Sequence, residues 1–225
     1  MMENRHVLLV IAWLLSSVAY AQETREVTER KGNYSEKYTV LKANKRTRHG
    51  PYQQFFGEKL IEKGEYSQDQ RVGPWEFYDM MGKLDQTFDY TTRQVLFSTL
   101  YNQPDSLQKV YTIITNADTT YAPLAKPPVP VGGKNQLVRI MMTNLRSPGT
   151  PLGLGKTSMV TVAYLVDETG KFGPVRIVQS SAEPAKTAEA LRVINLYSTL
   201  QWLPGELNGR KVSTVSMQPV RFYHE

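Results

Sequence analysis

The chain has 225 residues, 40% of them hydrophobic and 10% aromatic, enough for a folded protein of one large or two small domains. Its net charge of +6 is spread along the chain, with no basic helix and no platform of interleaved basic and aromatic residues, which argues against a nucleic-acid partner. The absence of Cys excludes disulfides, thiol catalysis, thiolate metal sites and a lipid-modified N-terminal Cys.

The first 21 residues read as an address. Arg5 and His6 precede an apolar run from Val7 to Leu15, and Ala19-Tyr20-Ala21 supplies small residues where a signal peptidase reads them. The run is shorter than the ~20 residues a spanning helix needs. A secretory signal over 1–21 and a periplasmic mature chain from Gln22 are expected; an uncleaved anchor in the inner membrane is the alternative. Membrane association would then come only through partners or through that uncleaved N-terminus. Residues 22–33 are polar and charged and read as a flexible leader.

From residue 34 an internal near-repeat appears. Tyr34 to Leu41 alternates as a first strand. Gly50-Pro51-Tyr52 recurs 23 residues on as Gly73-Pro74-Trp75. An aromatic pair follows each, Phe55-Phe56 and then Phe77-Tyr78. Gly57-Glu58-Lys59-Leu60 and Gly82-Lys83-Leu84 come next as turns, and Tyr66 and Tyr90 close the units. Each unit reads as a β-hairpin whose aromatic stripe is buried only by stacking on a neighbour.

Gly50, Tyr52, Gly57, Gly64, Gly73, Trp75, Tyr78 and Gly82 resemble the variant repeats related to the membrane-occupation-and-recognition-nexus (MORN) family. The likeness covers residues 34–90. In such repeats the aromatics build the sheet itself, and a ligand or lipid site on the aromatic face is the competing use. Val95-Leu96-Phe97 and Val110 to Ile114 read as further strands of this β layer, which is placed at 34–121.

Pro123, Pro127, Pro128 and Pro130 rule out regular helix or central strand, so 122–131 reads as an extended linker and domain boundary. Gly132-Gly133 opens a helix with Leu137, Ile140, Met141 and Leu145 on one face, ended by Pro148 and Gly149. Val160 to Val166, the turn Asp167-Glu168-Thr169-Gly170, and Val175 to Val178 form a hairpin. Pro184 suits the first turn of a second helix, with a stripe of Ala188, Leu191, Ile194, Tyr197 and Leu200 expected on the sheet. Trp202-Leu203-Pro204-Gly205 stops it, and Asn208-Gly209 opens a last strand ending Pro219-Val220-Arg221-Phe222.

Pro130-Val131-Gly132-Gly133, Asn144-Leu145 with Pro148, the 160–170 hairpin, Val178-Gln179-Ser180-Ser181 and the Trp202-Leu203-Pro204-Gly205…Asn208-Gly209 segment resemble the C-terminal domain of TonB-type proteins, in the Bacteroidota variant. Two features depart from that pattern. Ser147-Pro148 stands where an aromatic-Pro pair usually ends the first helix, and no long Pro-rich spacer follows an anchor, which argues against energy transduction. The resemblance implies an α+β fold: a hairpin repeat region, then at 132–225 a small domain with two helices on a three-stranded antiparallel sheet.

The chemical lookalikes fail on spacing or context. Gly149 to Thr157 lacks the first Gly of a phosphate loop and precedes a strand. Ser106-Leu107-Gln108-Lys109 stands without its companion motifs. His49 and His224 lack metal-ligand spacing. Asp167 and Glu168 are adjacent turn residues and face apart. No catalytic residue, cofactor or metal is expected, and the protein reads as a non-enzyme. The resemblance implies a peptide-binding module working by strand addition, with the plug segment of a TonB-dependent outer-membrane transporter as partner. The last strand was the expected edge: Val212, Ser213, Thr214, Val215, Ser216, Met217, Val220 and Phe222, where Pro219 lacks a ladder donor. A second copy covering that edge, giving a homodimer, competes with it, and a structural envelope scaffold without a transporter partner is the alternative function.

Overall fold

The computed structural model describes residues 23–101, 109–115, 118–149 and 156–223. The expected signal segment 1–21, most of the 149–157 loop and Ser106-Leu107-Gln108 lie outside them. Among the described residues no helix is long and apolar enough to cross a membrane. The fold is α+β: antiparallel sheets with two α-helices.

Seven strands form a meander in sequence order: β1 (Thr24–Lys31), β2 (Tyr34–Leu41), β3 (Arg48–Phe56), β4 (Lys59–Ser67), β5 (Gln70–Tyr78), β6 (Leu84–Asp89) and β7 (Gln94–Ser98). The expected repeat hairpins are β3–β4 and β5–β6. The segment expected to be a flexible leader is instead β1, paired with β2 over eight residues from Thr24↔Leu41 to Lys31↔Tyr34. Its composition misleads because an edge strand needs only one apolar contact. Val27 packs on the aromatic core, while Glu26 pairs with Lys37 at 3.2 Å and Glu29 accepts a 2.7 Å bond from Tyr38. Charge along an edge also discourages pairing with other chains.

The repeat aromatics build this sheet's core. Tyr38, Tyr52, Tyr66, Trp75, Phe77 and Phe88 are buried together. Trp75 lies 5.3 Å from Tyr52, 5.1 Å from Tyr66 and 5.7 Å from Tyr90 between ring centroids. Gly64 makes room for it: a Cβ there would clash with three carbons of the indole, all under 3.0 Å away.

The second sheet runs in the order β12-β11-β15-β8-β9. It contains β8 (Val110–Thr115), β9 (Asp118–Pro123), β11 (Thr157–Val166), β12 (Phe172–Ser180) and β15 (Arg210–Tyr223). β8 is expected in the repeat layer but instead pairs with β9 and joins this sheet through Ser213↔Ile114, Thr214↔Ile113 and Val215↔Thr112. Ile113 is thereby fully buried. The expected three strands β12-β11-β15 are present, and the sheet is wider than that.

The Pro-rich segment is not a linker. Residues 127–131 are buried, as is Leu124. β10 (Val129–Pro130) pairs with β13 (Trp202–Leu203), and Lys126 bridges to Glu206. Six of the segment's ten residues, Leu124, Pro127, Pro128, Val129, Pro130 and Val131, are buried apolar or Pro residues that lose water on packing, and that gain holds the segment in place. Gln86 of β6, itself buried, accepts 2.7 Å from Gly132 N–H and donates 3.3 Å to Pro130 C=O. The two sheets therefore meet across this strap.

α1 (Asn135–Asn144) packs Leu137, Ile140, Met141 and, just past its end, Leu145 on the C-terminal core, as its period implied. α2 (Pro184–Asn195) has Pro at its first turn. Its buried stripe is Ala190, Val193, Ile194 and Tyr197, whereas Ala188 is exposed. Steps of three lag behind the 3.6-residue turn, so the contacting face runs i, i+3, i+4, i+7. The step of three holds only in the 3₁₀ turn that follows, Leu196–Thr199. Tyr164, Phe172, Tyr197 and Trp202 form an aromatic cluster under both helices, and Trp202 Nε1 donates 2.9 Å to Tyr197 C=O. Lastly β14 (Gly205–Leu207) and β15 meet through Asn208 and Gly209, at φ +50° and +76°, the backbone of a two-residue type I′ hairpin.

Candidate functional site

β15 is the strand on which the expected peptide site lies. Its even-numbered residues from Val212 to Phe222 face the core, and its odd-numbered residues face outward. β11 pairs along one side over ten residues, from Thr157↔Tyr223 to Val166↔Thr214.

The other side is divided. Arg210 to Val212 pair with β14, and Ser213, Thr214 and Val215 pair with β8. Val212, Ser213, Thr214 and Val215 therefore do not form a free edge. Ser213 is further engaged, donating its hydroxyl to the Glu168 carboxylate and accepting 3.3 Å from Glu168 N–H. Being last in sequence does not put a strand at the rim of a sheet, because β8 and β9 fold back onto it from the middle of the chain.

From Ser216 onward, β11 is the sole pairing partner of β15 among the described residues. This half carries the remaining expected residues. Ser216, Val220 and Phe222 are buried toward the core and contribute backbone alone to the edge, whereas Met217 is 52% exposed. Pro219, which has no N–H, stands here opposite Thr161. Tyr223 at 60% exposure closes the stretch.

The outward face beside this edge is apolar. Val110, Ile114, Tyr121 and Met217 are exposed on it. A shallow depression of about 170 Å³ opens between Ile114, Ala163, Leu165, Pro174 and Val215. At the β11–β12 turn, Asp167 Oδ1 accepts from Thr169 Oγ1 (2.6 Å), Thr169 N–H (2.9 Å) and Lys171 N–H (2.9 Å). The Thr169 hydroxyl, with these amides, holds its carboxyl below the ordinary aspartate value. This is a turn-forming role.

Sequence reasoning passed over a pair of arginines. Arg48 and Arg71, 23 residues apart like the glycines they precede, occupy matching places in the repeat sheet. Arg48 lies 4.6 Å from the Tyr38 ring centroid and 3.0 Å from Glu36. Arg71 lies 3.9 Å over the Trp75 ring, 3.0 Å from the Tyr90 hydroxyl and 3.0 Å from the buried Glu62. Burial disfavours the Arg71 charge, but Glu62 and the facing tyrosines outweigh it. The signal was available: Arg-x-Gly-Pro-aromatic is the repeat, two residues longer than Gly-Pro-aromatic. Each guanidinium caps the aromatic stack and is satisfied by its own carboxylate, which makes the pair structural.

Among the described residues no three His, Asp or Glu side chains converge as metal ligands. Comparison with protein-family models, curated proteins and solved structures found no significant match.

Proposed function

We propose that this protein is an exported periplasmic interaction module that binds an extended peptide by adding it as a strand to β15. The observation that carries the reading is the one-sided stretch Ser216–Tyr223, bordered by an exposed apolar face. Main-chain hydrogen bonds along the stretch would supply affinity, and pockets for alternate side chains would supply selectivity. The resemblance of the C-terminal half to TonB-type domains points to the plug segment of a TonB-dependent outer-membrane transporter as the partner, with the MORN-like sheet as its platform.

A photo-crosslinker at Met217 or Tyr223, with one at Val27 as control, tests this in cells. Capture of transporter plug segments from 217 and 223 but not from 27 is the expected outcome. A synthetic peptide of the captured segment should then slow amide exchange across 216–223. Self-crosslinks alone, or unchanged exchange, would remove the peptide-binding reading. A scaffold without transporter partner is the second reading, supported by the buried strap that joins the two sheets at Gln86 and Gly132.

A further inference from the structure

A second concave site lies away from β15, where the β1–β2 and β3–β4 hairpin tips approach α1. Two adjoining cavities of about 370 and 760 Å³ share Lys31, Tyr34, Arg139 and Thr143 in their walls. Both volumes fall in the ~300–1,000 Å³ range of small-molecule sites. The smaller cavity has an apolar wall, where Phe56 stands 5.1 Å from Tyr34 between ring centroids and Met80 and Met142 complete the lining. Met142 is 64% exposed, whereas Leu137, Ile140 and Met141 of the same helix pack inward. Methionine thioethers and aromatic rings suit a flexible alkyl chain, since both adapt to its shape.

Lys31 and Arg139 line both cavities and Arg30 lines the larger one, and among the described residues none of them is in an ion pair. Arg139 donates 2.6 Å to the neutral amide of Gln136. Of the two carboxylates of the larger cavity, Glu36 is paired with Arg48 and accepts from Gln54, each at 3.0 Å, whereas Glu29, bonded at 2.7 Å to the neutral Tyr38 hydroxyl, keeps its charge, so the three cations exceed the remaining carboxylate by two. The site thus combines an apolar wall with an excess of positive charge.

We infer that this cleft binds a free long-chain carboxylate, its alkyl chain between Tyr34, Phe56, Met80 and Met142 and its head group at Arg139 and Lys31. The charge pattern selects the anion, and the smaller cavity's volume of about 370 Å³ suits a single chain.

Dodecanoate, kept below its micellar concentration, is the probe, and the full chain with [methyl-13C]methionine is the reporter. The Met80 and Met142 methyl resonances should move and saturate at one ligand per chain, while Met159 and Met217 stay in place. Dodecyltrimethylammonium, with the same tail and opposite charge, should bind more than about tenfold more weakly, as should dodecanoate to Arg139→Glu. Met142→Glu, at an exposed position, should lose binding with an unchanged melting temperature. Equal affinity for both head groups, or full binding by Arg139→Glu, would overturn the inference. So would binding to anionic vesicles but not to monomeric dodecanoate, which would make the cleft a membrane-surface site. Methyl shifts that follow protein concentration without ligand would also overturn it, by making the occupant a second copy.

Discussion

Gly64→Ala is the sharpest test of how the repeat sheet is packed. Gly64 has ordinary backbone angles, so Ala is conformationally allowed, and stiffening the unfolded chain should by itself stabilise the protein by ~0.4–1 kcal/mol. The neighbour decides otherwise. The new Cβ would stand well under 3.0 Å from three carbons of the Trp75 indole, where ordinary contacts are 3.4–4 Å. Trp75 is fully buried and hemmed in by Tyr52, Tyr66, Phe77, Tyr90 and Arg71, so the ring has nowhere to retreat. Overpacking of this kind costs ~1–3 kcal/mol, and disturbing one or two aromatic pairs adds ~0.5–1.5 kcal/mol each. A net loss of ~2–3 kcal/mol is expected, or ~4–12 °C in melting temperature for a chain of this size. Circular dichroism melts and guanidinium titrations measure it. Trp75→Phe should be less damaging in the Gly64→Ala background than in the wild type, because the smaller ring vacates the contested space. A Gly64→Ala protein as stable as wild type, or additive effects in the double variant, would show that the two residues are not in contact as described.

Two further predictions concern the seams. Gln86→Leu leaves the Gly132 N–H buried without its partner, while Pro130 C=O keeps the 3.0 Å bond from Gly133 N–H, costing about 1–3 kcal/mol and speeding proteolysis within 122–133; an unchanged cleavage rate would mean the strap is held by other contacts. Glu189 accepts from Arg192 Nε and Nη2, both at 2.7 Å, and from Arg146 N–H at 2.9 Å, tying the exit of α1 to α2. These bonds, the Arg192 guanidinium foremost, hold its carboxyl below the ordinary value of 4.5. Its stabilising effect is therefore complete above that value and fades as pH falls through the lowered native one. Glu189→Gln should be less stable than wild type at pH 7, with the difference shrinking as pH falls below 4.5 in urea titrations; a constant difference would contradict the assignment.

Much of the local structure is written in local patterns. Gly-Pro-aromatic at a 23-residue spacing marks the hairpins, and Asn208-Gly209 marks a turn whose φ angles few other dipeptides adopt. Leu137, Ile140, Met141 and Leu145 mark one helical face. These signals survive because turn geometry and side-chain period depend on residues close in sequence. β1 was hidden because its partner contacts are mostly charged, and Arg48 and Arg71 were hidden because a lone basic residue in a strand usually means solvent.

What the sequence by itself determined, then, is the repeat hairpins, the two helices and the last strand. The tertiary structure alone decided which strand lies beside which. Backbone hydrogen bonds between strands are nearly blind to side-chain identity, so nothing in Val110–Thr115 announces that it will pair with Ser213–Val215, a hundred residues away. That pairing removed half of the expected edge and left Ser216–Tyr223 one-sided. The prolines of 122–131 likewise fix an extended backbone, but whether an extended segment swings in water or lies buried depends on the two sheets that close over it.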